Sequence, residues 1–82
     1  GFTAGARFIL IKRTDSAGDW YTWDSVRGIS AGNDPYLLLN DEAVEVTGTD
    51  YVDPLNAGFT VTSNASSTVN VNGGTYIFLA IA

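Results

Sequence analysis

Apolar and polar positions alternate along this chain with a period of two, in short runs separated by turn residues. "RFILIKR" (7–13) is an apolar run with charged ends, suited to a buried strand. "TDSAGD" (14–19) carries turn chemistry, with Asp, Ser and Gly close together. "WYTWDS" (20–25) reads as the second strand, and the two strands as a hairpin. "VRGISAGNDP" (26–35) is a loop, and "YLLLN" (36–40) a third short strand. In "DEAVEV" (41–46) the alternation suits a strand better than one helical turn. "TGTDYVDPLNAG" (47–58) is mostly loop, with Tyr51, Val52 and Leu55 turned toward the core. "FTVTS" (59–63) alternates cleanly, with Phe59 and Val61 on one face, and "NASS" (64–67) is a turn. "TVNVN" (68–72) alternates again, with Val69 and Val71 inward. "NGG" (72–74) tolerates the positive φ angles of a tight hairpin turn. "TYIFLAIA" (75–82) is apolar on both faces and reads as a central strand covered on both sides.

The expected fold is therefore all-β: an antiparallel β-sandwich, jelly-roll-like, or a partly closed barrel, of six to seven short strands in one domain. At 82 residues such a core is marginal, because a small domain buries a smaller share of its unfolded surface than a large one. There is no Cys to staple it. Oligomerisation or attachment to a larger protein is the expected source of further stability. The abrupt start at Gly1-Phe2, without Met, reads as a processed product or a module of something longer.

Composition narrows the chemistry. Without Cys or His there is no thiolate nucleophile, no usual zinc site and no His-based acid–base catalysis. Nine acidic residues against four basic ones give a net charge of −5, a poor match for nucleic acid. Arg7, Lys12 and Arg13 cluster in one segment and read as solvated strand ends. The longest apolar run is far shorter than the ~20 residues of a spanning helix, so membrane insertion is not expected. Carboxylates group as Asp15 with Asp19, as Asp41, Glu42 and Glu45, and as Asp50 with Asp53. A glycosidase needs two converging carboxylates, but these fall where Asp caps turns locally, and no enzyme is expected. No cofactor is expected either. A structural Ca²⁺ bound by Asp41, Glu42, Asp50 or Asp53 is the alternative, because Ca²⁺ takes several loop oxygens.

Two constellations remain. In "DSVRG", Asp24 and Arg27 stand three apart where a strand becomes a loop, so they can pair and pin the turn while Gly28 frees the backbone. A polar ligand clamp is the functional alternative. The second constellation is aromatic: Trp20, Tyr21, Trp23, Tyr36, Tyr51 and Tyr76. Trp20 and Trp23 are an odd number of positions apart, so an unbroken strand sends them to opposite faces. Exposed aromatics beside Asn and Asp suit sugar binding, with Trp23, Tyr21 or Tyr36 as the stacking platform; buried ones suit a subunit interface.

"GFTAGARFILIKRTDSAGDWYTWDSVRG", "NAGFTVTS" and "VNVNGGTYIFLAIA" together resemble a small domain that recurs in virion structural proteins of tailed bacteriophages. It is found notably in tail-fibre-like proteins of phages of marine and freshwater bacteria. The resemblance covers most of the chain, with about Ile29 to Val52 variable; the Gly-rich strand that usually precedes the Gly-Phe opening is missing, which fits a fragment or trimmed chain. It rests on Phe2, Ile11, Lys12, Trp20, Asp24, Arg27, Gly28, Gly58, Phe59, Gly74 and Tyr76, which look like a fold signature. The resemblance implies a non-enzymatic structural or adhesion module of the virion, in a tail fibre or surface decoration. Its implied partners are other virion subunits, as a homo-oligomer with trimers favoured, and a host surface glycan. It also assigns Trp20 to the core or a subunit contact and leaves the Trp23 ring for an interface.

Overall fold

The turn residues at 14–19 reverse the chain between β1 (Phe8–Arg13) and β2 (Tyr21–Asp24), which pair antiparallel with Ile9 opposite Trp23 and Ile11 opposite Tyr21. In the computed structural model, which describes residues 4–42 and 44–82, four further strands follow. They are β3 (Leu37–Leu38), β4 (Val52–Leu55), β5 (Gly58–Val61) and β6 (Tyr76–Ile81). A 3₁₀ turn at Ser63–Ala65 lies between the last two. All pairings are antiparallel, in a four-stranded sheet of order β3-β2-β1-β6 and a separate β4-β5 hairpin. The fold is all-β, in two sheets that do not close on each other.

β1 lies between two partners, which is where a run of Ile and Leu with charges only at its end belongs. Its inward residues Ile9 and Ile11 meet Trp23, Val52, Ala6, Ala65 and Val69 in the buried core. Val52 brings the hairpin to this inner face, and Phe59, Val61, Tyr21, Tyr36 and Tyr51 pack around the centre. Each large side chain buried here contributes about 1.5–3 kcal/mol.

Four expected elements differ. "TVNVN" is not a strand but a series of turns. The Tyr76 hydroxyl donates to the Thr68 carbonyl (2.8 Å) and accepts from the Val71 N–H (3.0 Å), while the Asn70 N–H bonds the Ala65 carbonyl (2.9 Å). These bonds take the backbone groups a ladder would need, and Val69 reaches the core from a turn. "NGG" accordingly makes a local turn closed by Gly74 N–H to Val71 carbonyl (2.9 Å), not a hairpin between two strands. A Cβ on Gly74 would stand 3.0 Å from the Tyr76 ring and 3.1 Å from the Val71 carbonyl, so the close approach itself calls for glycine. In "DEAVEV" the described residues form no strand, and Val46 makes only an isolated bridge to Tyr36; Ala43 lies outside the described residues, as does the Gly1-Phe2 opening. β6 differs as well: it is an edge strand rather than a central one, because no described segment pairs with its second side.

"TGTDYVDPLNAG" holds more order than its turn residues suggest, since β4 begins inside it at Val52. Val52 is buried and Tyr51 half-buried, but Leu55, expected inward, is about half exposed at the hairpin end.

Candidate functional site

The aromatic residues divide between the two faces of the sheet. Tyr21 and Trp23, two apart on β2, share the inner face and stack with centroids 5.9 Å apart. Tyr36 meets Tyr21 edge-on at 5.0 Å and Trp23 at 5.9 Å, and Tyr51 stacks on Tyr36 at 5.6 Å. Trp23 is fully buried. It is therefore not available as a sugar platform or as a ring left for an interface: β2 lies between β1 and β3, and its inward residue opposite Ile9 is the middle of the core. Its indole N–H is buried without a hydrogen-bond partner. Tyr21 and Tyr36 are half-buried, their rings engaged with each other and with Trp23 and Tyr51. Burial, reinforced by the Tyr36 hydroxyl, pushes the Tyr21 hydroxyl up to about 12, and burial raises Tyr36 as well. Trp20 is the half-exposed one, with the Lys12 ammonium 5.9 Å from its ring centre on the opposite face. Odd spacing separates the two tryptophans, and the core takes the second.

Asp24, Arg27 and Gly28 form one turn after β2. One Asp24 carboxylate oxygen accepts the Arg27 backbone N–H (2.8 Å) and the other accepts its guanidinium (2.6 Å). Gly28 donates its N–H to the Asp24 carbonyl (2.9 Å) at φ +124°, a region side chains rarely adopt. The guanidinium also reaches Glu45 (2.8 Å), tying this turn to the segment before Val46. These hydrogen bonds hold the Asp24 carboxyl below its ordinary range and raise Arg27. One guanidinium thus bridges two carboxylates and holds the turn, leaving the group with a net charge of −1.

The carboxylates that converge are Asp34, Asp50 and Asp53, with one oxygen of each within 4.8 Å of the others. Asp50 and Asp53 are candidates from the sequence; Asp34 is the addition, contributed by the loop between β2 and β3. Asp41 and Glu42 lie exposed and outside this group. Asp34 is fully buried. One of its oxygens accepts the Ser30 N–H (2.6 Å), and its own N–H bonds the Thr49 carbonyl (2.6 Å), which fixes the loop against the segment entering β4. Desolvation, with Asp50 close by, raises the Asp34 carboxyl to about 6, and Asp53 is raised by the same causes. The repeated Asp-Pro in "NDP" and "VDP" was the available signal, since each Pro restricts the backbone beside its Asp, in a loop for Asp34 and in β4 for Asp53.

The outer face of the four-stranded sheet has a different character. Alternation puts Phe8, Leu10 and Lys12 of β1 outward, and the register sets them beside Ile81, Leu79 and Ile77 of β6. Leu10 also faces Thr22, which faces Leu37, so one row crosses all four strands as Leu37-Thr22-Leu10-Leu79. Ile77, Leu79 and Ile81 are 52%, 51% and 48% exposed. No described segment pairs with the free edge of β6. Behind that edge Phe78, 66% exposed, meets Phe59 edge-on at 5.5 Å. With Leu55, Ala57, Gly58 and Ala80 these two rings line an open apolar cleft of about 380 Å³.

These features define a small antiparallel all-β fold of two sheets, with an ion-paired turn after β2, a cluster of three carboxylates and apolar side chains exposed on its last strand. A family model described as "Domain of unknown function (DUF7483)" matches residues 1–82, and the chain belongs to that family. No curated protein and no solved structure matches it.

Proposed function

We propose that this chain is a non-enzymatic structural module of a phage virion, in a tail fibre or surface decoration, that works by assembling with further copies of itself. The observation that carries assembly is the open apolar face and edge of β6. Contiguous exposed apolar surface marks an interaction site, and an unpaired strand edge offers backbone donors and acceptors to another strand. Ile77, Leu79 and Ile81 on one side and Phe78 on the other give a partner apolar contacts on both faces of that edge. A second copy is the chosen occupant because the same strand offers both requirements, a backbone edge and matching apolar side chains. Covering the outer face would complete the sandwich expected from sequence, with the β4-β5 hairpin on one side of the sheet and the neighbour on the other. The virion setting, the preference for a trimer and attachment to a host surface glycan rest on the resemblance of the "GFTAGARFILIKRTDSAGDWYTWDSVRG" and "VNVNGGTYIFLAIA" segments to phage fibre domains.

The test is the mass in solution, by light scattering across a dilution series, of the chain and of a Leu79→Lys variant. The reading expects a trimer, or another closed oligomer, that Leu79→Lys converts to a folded monomer. A monomer at every concentration, or an oligomer indifferent to Leu79→Lys, would remove β6 as the assembly surface.

A further inference from the structure

We infer that Asp34, Asp50 and Asp53 form a calcium site that fastens the four-stranded sheet to the β4-β5 hairpin. Three observations meet there. The carboxylate oxygens converge within 4.8 Å, closer than three like charges remain without a counter-charge. Asp34 is fully buried, and its second oxygen has no hydrogen-bond partner; Oδ1 of Asp50 and Oδ1 of Asp53 are buried and unpartnered too. The Thr49 hydroxyl, in the same segment, is a further buried oxygen without a partner. Buried polar atoms ordinarily find partners, so three orphaned carboxylate oxygens, from the loop leaving β2, from the segment before β4 and from β4 itself, point to something that supplies positive charge.

No basic side chain of the protein does so. The Arg7 guanidinium donates to the Ala82 carbonyl, and Lys12 bonds the Arg13 carbonyl beside the Trp20 ring. Arg13 pairs with Asp15, and Arg27 with Asp24 and Glu45. The cluster is offset either by a proton shared between the carboxyls or by a cation from outside the chain, and the cation is the one inferred here.

The donor set identifies the ion. Carboxylate oxygens, with no nitrogen or sulfur, suit a hard cation rather than a transition metal. Mg²⁺ gives up its waters reluctantly and demands near-ideal octahedral geometry, whereas Ca²⁺ accepts six to eight oxygens in flexible arrangements. A fully buried Asp34 requires partial dehydration of the ion, which favours Ca²⁺. Asp34 belongs to the loop leaving β2, while Asp50 precedes β4 and Asp53 lies within it, so a bound ion joins the two sheets. In a chain without Cys, that is the role a disulfide would otherwise take.

The experiment uses the 82-residue chain, stripped with a chelator and titrated with CaCl₂ or MgCl₂. Thermal unfolding is followed by circular dichroism, and Tb³⁺ binding by luminescence excited through the aromatic rings. An affinity of about 10⁻⁴ M, typical of weaker calcium modules, raises the midpoint by about 10 °C at ~10 mM CaCl₂. MgCl₂ gives a smaller rise. Asp34→Asn and Asp53→Asn each abolish most of the calcium response and of the sensitised Tb³⁺ emission. Should Asp34→Asn fail to fold, Asp53→Asn decides, because Asp53 is only half-buried. Wild-type protein indifferent to calcium, an undiminished response in Asp53→Asn, or an equal rise with MgCl₂ would overturn the assignment. An Asp34→Asn variant more stable than a calcium-indifferent wild type would also overturn it, showing that the carboxyls share a proton instead.

Discussion

The two faces of the four-stranded sheet are made by the same strands and are both apolar along β1 and β6, yet side chains at the sheet centre and at the β6 edge meet different fates. Ile9, Ile11 and Trp23 point inward and are buried beneath the hairpin and the 62–71 segment. One residue along each strand, Leu10, Ile77, Leu79 and Ile81 point outward, and the three on β6 are about half exposed. In a sheet that faces water on one side, alternation ordinarily puts polar residues outward. Here both registers are apolar along β1 and β6, which is the pattern of a sheet covered twice. The described residues cover the inner face at the centre and bury Thr22 on the outer one, but leave the β6 side chains about half exposed, which is what the proposed partner would cover.

The contrast breaks most readily at the inner face. Ile9→Ala costs about 2–5 kcal/mol through lost burial and a cavity, and Trp23→Ala about 3–5 kcal/mol. Leu79→Ala, measured by urea unfolding at a dilution where the protein is monomeric, costs less than about 1 kcal/mol. Equal losses for Ile9→Ala and Leu79→Ala in a monomer would mean that the outer face is already covered. Tyr76→Phe keeps the ring but strips the Thr68 carbonyl and the Val71 N–H of their shared partner, and costs about 1–3 kcal/mol by the same measurement. A change near zero would show that the 68–74 turns hold without the hydroxyl. Gly28→Ala costs about 1 kcal/mol, because its φ of +124° is closed to a side chain although the space around it is open.

The smallest effect belongs to the exposed turn joining β1 to β2. The Arg13 guanidinium and the Thr75 N–H hold the Asp15 carboxyl at about 2, below its ordinary 3.8. A folded-state value below the unfolded one makes the contribution of Asp15 complete above its ordinary value and progressively lost as pH falls toward 2. Solvent screens the pair, so the loss is slight. Between pH 5 and pH 2 the stability gap between wild type and Asp15→Asn should narrow; a gap that stays constant would show that Asp15 adds nothing by its charge.

Legibility followed the range of the interactions. The β1-β2 hairpin could be read directly, because Asp-Ser-Gly turn chemistry and flanking apolar runs are local causes. The inward register of Phe59 and Val61 could be read for the same reason. "TVNVN" could not, since a hydroxyl from Tyr76, five residues beyond Val71, takes the backbone groups that its alternation offers to a ladder. Asp50 and Asp53 could be singled out as neighbours in sequence, but Asp34 stands sixteen positions before Asp50, and only the packing of two loops brings them together. Trp23 was open to either face until the pairing of β2 between β1 and β3 decided it.

By itself, the sequence determined an all-β chain of short antiparallel strands with a core too small for comfort, because period-two patterning and turn residues act within a few positions of themselves. Tertiary structure alone decided which strand became the edge, which tryptophan became the core, and which carboxylates met. Those outcomes depend on strand order and loop packing, and both are set by contacts between residues far apart in the chain.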